Sequence, residues 1–182
     1  MNKFEEKTID TEVIYKGKIV QLQVDSVTLP DGQTSKRELI KHPGAVAVIA
    51  LTDEGKIVFV EQYRKALEKS IVEIPAGKLE TGEKPEITAL RELEEETGYT
   101  TDQLKLVTSF YTSPGFADEL VHLYFTDQVK PLEQKVDLDE DEFVELQELT
   151  LQEAEQLALD QKIHDAKTAF ALLYLKLRGE TR

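Results

Sequence analysis

Three glutamates in the stretch PEITALRELEEETG, Glu92, Glu95 and Glu96, recur at spacings that gather carboxylates on one sector of a helix. Pro85 suits a first helical turn and Gly98 the residue past a helix end, so the pattern predicts a helix over Pro85–Thr97. Ile87, Leu90 and Leu93 share a separate sector, expected to face the core. The acidic sector lies in the last turns, where the helix dipole is negative, and Glu92 and Glu96 stand one turn apart as like charges. Each effect costs from a few tenths to about 1 kcal/mol, and all have the same sign. Arg91 offsets part of this through Glu95, four residues on. A cation is the missing element. Carboxylate oxygens are hard ligands and the stretch has no histidine, so Mg²⁺, Mn²⁺ or Ca²⁺ fits better than zinc. The plainer alternative is that Glu94-Glu95-Glu96 is a solvated helix face.

The wider pattern decides between them. Gly77, five residues, Glu83, seven residues and then Arg91-Glu92-Leu93-Glu94-Glu95-Glu96-Thr97-Gly98-Tyr99 resembles the Nudix box of the Nudix hydrolases. Tyr99 is a departure, because the family usually has an aliphatic residue there. The resemblance implies a loop–helix–loop inside an α/β/α sandwich. It also implies Mg²⁺, with Mn²⁺ as a substitute, held by Glu92 and Glu96. Glu95 is then a further ligand or the partner of a metal-bound water in catalysis, and the carbonyl of Ala76 completes the shell.

The charge balance agrees with a metal-first chemistry. With 22 Lys+Arg against 36 Asp+Glu the chain carries −14, so a diphosphate is repelled unless bound cations invert the local potential. Mg²⁺ keeps few protein carboxylates and fills its shell with substrate oxygens and water, as suits a site that assembles around a pyrophosphate.

Sixteen residues beyond Gly98, Pro114 sits in Ser113-Pro114-Gly115, which is an ordinary turn sequence by itself. At this distance from the box it resembles the ADP-ribose pyrophosphatase subfamily, which implies substrate contacts at Ser113, Gly115 and Glu119. The same resemblance makes Glu142, in Glu-Phe-Val-Glu, a general base whose acidic neighbours Asp139 and Asp141 raise its proton affinity. Glu140 stands two residues away as the alternative base. The resemblance further directs Arg37 and Arg64 at nucleotide and diphosphate, where a guanidinium suits bidentate recognition. A plain ion pair is the competing reading of each. Glu38 is implied as an acceptor for the adenine amino group and the Lys78 backbone as a diphosphate contact. Ile19 stands where relatives often carry an aromatic residue to stack on adenine, so base selectivity is less constrained than diphosphate cleavage.

Other chemistries find little support. Asp137, Asp139, Asp141 and Glu148 fit positions 1, 3, 5 and 12 of a calcium loop, but position 6 is Glu142 where the turn needs glycine. Gly77–Lys84 approaches a P-loop, yet Glu83 replaces its lysine. His42, His122 and His164 are scattered, and no Gly-x-Ser-x-Gly elbow is present. A pI near 4.7 argues against nucleic acid and anionic membranes as partners. No cysteine and no apolar run longer than Ala45–Leu51 point to a cytoplasmic setting without a membrane span.

The elements that must position these residues follow from alternation and turn signals. Ile14–Leu29 reads as a strand, Pro30-Asp31-Gly32 as a hairpin turn and Ser35–Lys41 as its return arm. Ala45–Leu51 and Ile57–Tyr63 flank a turn at Asp53-Glu54-Gly55, and Ser70–Glu73 is a short strand. Strands are also predicted at Leu104–Ser109, Leu120–Thr126 and Phe143–Gln147, and helices at Leu151–Leu159 and Asp165–Arg178. The expected class is α+β, a Nudix-like sandwich with a mixed sheet plus a small N-terminal antiparallel β layer. Residues 1–40 form that layer and 41–182 the hydrolase domain. By resemblance the layer mediates a homodimer that brings Arg37 and Glu38 into the partner's site. The implied activity is Mg²⁺-dependent cleavage of ADP-ribose to AMP and ribose 5-phosphate. Another nucleoside diphosphate sugar, an altered nucleotide, or a non-catalytic ADP-ribose sensor are the alternatives.

Overall fold

A computed structural model describes residues 3–80, 82–134, 136 and 143–179. In chain order the strands are β1 (Lys7–Lys16), β2 (Gln21–Thr28), β3 (Thr34–Lys41), β4 (Ala45–Ala50), β5 (Ile57–Arg64), β6 (Lys69–Glu73) and β7 (Ala76–Lys78). Helix α1 (Pro85–Thr97) precedes β8 (Tyr99–Thr100), β9 (Lys105–Tyr111), β10 (Leu120–Thr126), β11 (Lys130–Pro131) and β12 (Val144–Leu149). Helices α2 (Leu151–Leu159) and α3 (Ala166–Arg178) follow. The fold is α+β, a mixed sheet with helices and an antiparallel N-terminal sheet. Among the described residues no helix is long and apolar enough to cross a membrane.

The chain divides into two compact units. The first comprises Met1–Gly44 and Phe110–Val121. Its antiparallel sheet has the order β1-β2-β3. The β2–β3 turn is the expected one: Gly32 has φ 85°, and its N–H donates to the Leu29 carbonyl at 2.9 Å. The strand expected over Ile14–Leu29 is instead two, broken at Gly17-Lys18, and β1 begins as early as Lys7. Every residue of β1 is exposed, so no buried face imposed the alternation by which strands are recognised. On β2 the buried face sets Gln23 and Asp25 beside Val27, and Asp25 Oδ1 accepts from Gln23 Nε2 at 2.8 Å and from Thr11 Oγ1 at 2.9 Å. The segment from Ser113 to Asp118 is stitched to the end of β3, since Ile40 N–H donates to the Phe116 carbonyl at 2.7 Å and Asp118 N–H to the Ile40 carbonyl at 3.2 Å.

The second unit comprises Ala45–Ser109 and His122–Arg182. Its principal sheets have the orders β7-β4-β10-β9 and β12-β5-β6. Strands β4 and β5 flank the predicted turn but belong to different sheets, and a Leu51–Ile57 bridge links their ends. Residues 46–50 of β4 and 57–60 of β5 are apolar on both sides because each stretch is covered on both faces, whereas residues 61–64 of β5 are polar or partly exposed. Val46, Val48 and Ala50 of β4 pack with Ala89 and Leu93 of α1 and with Tyr124.

Helix α1 ends as the sequence predicted, with Gly98 left-handed at φ 70° and its N–H donating to the Glu94 carbonyl at 2.9 Å. Its buried stripe, however, is Thr88, Ala89, Glu92, Leu93, Glu96 and Thr97, and Ile87 is exposed. The helix is rotated toward its acidic sector relative to the apolar-moment expectation. One flank packs on β4 and the other on the backbone of β7, which offers the Ala76 N–H to a carboxylate.

Candidate functional site

Strand β7 is three residues long, and its pairing to β4 matches Ala47 with Ala76, Val46 with Gly77 and Ala45 with Lys78. The backbone of Ala76–Gly77 is thereby anchored on a buried strand, and α1 lies against it. Glu96 Oε2 accepts from the Ala76 N–H at 2.9 Å, and Glu96 Oε1 from Gln62 Nε2 at 3.4 Å. One turn earlier, Glu92 covers Gly77 so closely that a Cβ there would stand 1.9 Å from its Cδ and 2.1 Å from its Oε1. Glycine is needed for this close approach, since Gly77 does not have positive φ. Both carboxylates are buried.

Arg91 neutralises the crowding. Its Nη1 lies 2.9 Å from Glu92 Oε1 and 2.8 Å from Glu95 Oε2, and its Nη2 lies 3.4 Å from Glu83 Oε2. Glu83 also accepts from Thr88 Oγ1 at 2.7 Å, and this bond, with Arg91, lowers its pKa. Burial works to deprotonate Arg91, but Glu92, Glu95 and Glu83 outweigh it and raise its pKa. Its Nε is buried without an acceptor among the described residues, so three carboxylates rather than neutral partners fix the guanidinium. Glu94 accepts from Thr100 Oγ1 at 2.5 Å.

Tyr99, the departure from the box pattern, packs against the core and donates its phenol O–H to Glu148 Oε1 of β12 at 2.6 Å. That bond and partial burial push its pKa up to about 12.

Arg64, at the end of β5, forks onto Glu73 of β6: Nε to Oε1 at 2.5 Å and Nη2 to Oε2 at 3.0 Å. Lys167 of α3 also bonds Glu73 Oε2, and Asp165 Oδ2 at 2.8 Å. Glu73 is 2 % exposed, and although burial works to raise its pKa, Arg64 and Lys167 lower it on balance. Sequence reading had not singled out Gln62 or Glu73. The signal for Glu73 was a carboxylate inside the apolar run Ile71-Val72-Glu73-Ile74.

The second unit thus brings together Ala76, Glu92, Glu95 and Glu96, with Arg64 near enough to feel Glu96. Lys78 lies exposed at the end of β7. The remaining candidates among the described residues belong to the first unit. Arg37 on β3 pairs with Glu6 through Nε at 2.8 Å and Nη2 at 2.6 Å, and Glu38 beside it is exposed. The Ser113 carbonyl accepts from the N–H groups of Phe116 and Ala117, at 3.1 and 2.9 Å, while Gly115 is open to solvent. Glu119 Oε2 accepts from Thr112 Oγ1 at 2.6 Å. Glu142, Glu140, Asp139 and Asp141 lie outside the described residues.

A hard divalent cation suits this donor set. Two buried carboxylates one turn apart face the Ala76–Gly77 backbone, where the missing Cβ leaves room for Glu92 and the Ala76 N–H donates to Glu96, with no sulfur and no imidazole beside them among the described residues. His42, His122 and His164 are engaged elsewhere, with Gly44, Ser109 and Lys69. Among the described residues no three acidic or histidine side chains converge as they stand, because Arg91 occupies the space between Glu92 and Glu95 and Glu96 is turned to Ala76.

A model of the NUDIX domain matches residues 41–172. The chain belongs to the Nudix hydrolase family. Ahead of the Nudix domain, residues 6–40 match the nucleoside diphosphate sugar hydrolase N-terminal domain. Among Nudix relatives, the chain is 60% identical over 178 residues to the ADP-ribose pyrophosphatase of Bacillus subtilis (strain 168), covering 98% of this chain and 96% of that one. It is 64% identical over 175 residues to the methanol dehydrogenase activator of Bacillus methanolicus, covering 96% and 95%. The crystal structure of an ADP compounds hydrolase shares the fold, with a TM-score of 0.83 over 97% of each chain at 18% identity. Nudix ADP-ribose pyrophosphatases in general depend on a divalent metal.

Proposed function

We propose that this Nudix protein hydrolyses the diphosphate linkage of ADP-ribose to AMP and ribose 5-phosphate, using Mg²⁺ with Mn²⁺ as a substitute. The seating of Glu92 and Glu96 on the Ala76–Gly77 backbone carries the reading, and the name of the 60% identical relative points to the substrate. Bound divalent cations supply positive charge that neutralises the diphosphate oxygens and eases deprotonation of an attacking water. Glu92, Glu96 and the Ala76 carbonyl would hold them, with Glu95 a further ligand or the partner of a metal-bound water. Glu142 would take the proton of the attacking water as its oxygen bonds to phosphorus and the bridging P–O bond breaks. Arg64 and the Lys78 backbone hold the diphosphate, while Arg37, Glu38, Ser113, Gly115 and Glu119 hold nucleoside and terminal ribose.

We also propose a homodimer formed through the N-terminal β layer. Strand β1 is an edge strand, and Ile9, Val13, Ile14 and Tyr15 leave it apolar and exposed, a combination that favours pairing with another chain. Light scattering is expected to give twice 20.7 kDa, and a fully active monomer removes this claim.

A broader nucleoside diphosphate sugar specificity is the second reading, favoured by Ile19 at the stacking position and by 34% identity to a GDP-mannose pyrophosphatase of Cronobacter sakazakii. The deciding experiment is a panel of ADP-ribose, GDP-mannose and a nicotinamide dinucleotide with Mg²⁺, products resolved by chromatography. ADP-ribose is expected to have the highest kcat/KM. Binding without turnover on any compound identifies a sensor instead.

A further inference from the structure

We infer that Glu73 is a positioning residue that aims Arg64 at the diphosphate and keeps it off Glu96, an inference resting on the substrate role proposed for Arg64. A carboxylate withdrawn from water is costly unless matched by charge and hydrogen bonds, and Glu73 is matched on both oxygens. The match has a direction. Glu73 is buried while the Arg64 side chain is 39% exposed, so the guanidinium is gripped from the protein side by Nε and Nη2. Its Nη1 edge takes no bond among the described residues. A bidentate fork fixes the plane of the guanidinium as well as its position.

The neighbours show why a fixed Arg64 matters. Gln62 lies two residues earlier on the same face of β5 and donates to Glu96 Oε1, and Arg64 itself feels the Glu96 charge. A guanidinium free to swing there has a second carboxylate to join, and that carboxylate is a proposed metal ligand. Lys167 is shared between Glu73 and Asp165, whose side chain also caps α3 through Thr168 N–H. The charges of Arg64, Lys167, Glu73 and Asp165 cancel, so Arg64 cannot leave Glu73 without leaving an acid short of a cation.

The test is a double-mutant cycle on ADP-ribose turnover with Arg64→Ala, Glu73→Gln and the pair, each with a thermal melt, a Mg²⁺ activation curve and Mn²⁺ binding without substrate. Arg64→Ala is expected to lower kcat/KM about 10- to 100-fold, mainly through KM. Glu73→Gln is expected to raise KM several-fold and to shift Mg²⁺ activation and Mn²⁺ binding to higher concentration, both effects vanishing in the Arg64→Ala background. Glu73→Asp, which keeps the charge but retracts it by one methylene, should be intermediate and serves where Glu73→Gln does not fold. Losses from Glu73→Gln that persist undiminished without Arg64, or wild-type KM and metal affinity in both Glu73 variants, overturn the inference. A kinetically silent Arg64→Ala instead overturns the substrate role of Arg64, and this inference with it.

Discussion

The carboxylate of Glu92 on α1 occupies the space that a Cβ on Gly77 of β7 would fill, its Cδ 1.9 Å from that point. The first glycine of the box is therefore a seat for Glu92, the first of its proposed metal ligands. The colliding atoms are the far end of a flexible side chain, so Gly77→Ala displaces Glu92 rather than breaking the fold. The expected result is a loss of Mg²⁺-dependent turnover on the order of 10²-fold, as misplacement by an ångström gives, with a melting temperature within a few degrees of wild type. Steady-state kinetics beside a thermal melt measures both. Unchanged turnover places the functional Glu92 elsewhere.

Arg91 holds Glu83, Glu92 and Glu95 together. Removing it in Arg91→Met leaves like charges facing one another at a cost of about 1–3 kcal/mol, or roughly 3–10 °C in melting temperature, in EDTA. Saturating Mg²⁺ should narrow that gap by supplying the lost positive charge. Equal gaps with and without metal dissociate Arg91 from the ligand set.

These two cases also show what was legible in the sequence. The limits of α1 were legible because Pro85 and Gly98 act through local backbone geometry, and Glu92 with Glu96 because like charges one turn apart need a reason. Ile87 misled because an apolar moment averages a helix, whereas burial depends on which strands it meets, and β7 welcomed carboxylates. The pairing of Arg64 with Glu73 was hidden because it requires the β5–β6 register, Val60 opposite Glu73, and α3 folding back with Lys167. Strand β1 was hidden because an exposed edge places no demand on alternation.

Tyr99 supplies a pH test. Its phenol is held above the ordinary value of 10.0, at about 12, by Glu148 and burial. A raised pKa contributes stability that is complete below pH 10 and is lost as pH rises towards 12. Between those limits the wild type should lose melting temperature more steeply than Tyr99→Phe, which has no proton to lose there. Parallel curves mean that the Tyr99–Glu148 bond does not persist in solution.

Glu142→Gln removes the proposed base. It is expected to lower kcat by roughly 10²- to 10⁴-fold with little change in KM, while Glu140→Gln stays near wild type. Stopped-time assays across pH separate the two, and the reverse ranking assigns the base to Glu140.

The most direct measurement is ADP-ribose turnover by Glu92→Gln and Glu96→Gln across a Mg²⁺ titration, with AMP and ribose 5-phosphate quantified and folding checked by circular dichroism. Wild-type protein should form both products only with a divalent cation, and each folded variant should lose at least about 10³-fold in kcat/KM, or need far more Mg²⁺. Folded variants that cleave ADP-ribose at the wild-type rate with an unchanged Mg²⁺ dependence contradict the account.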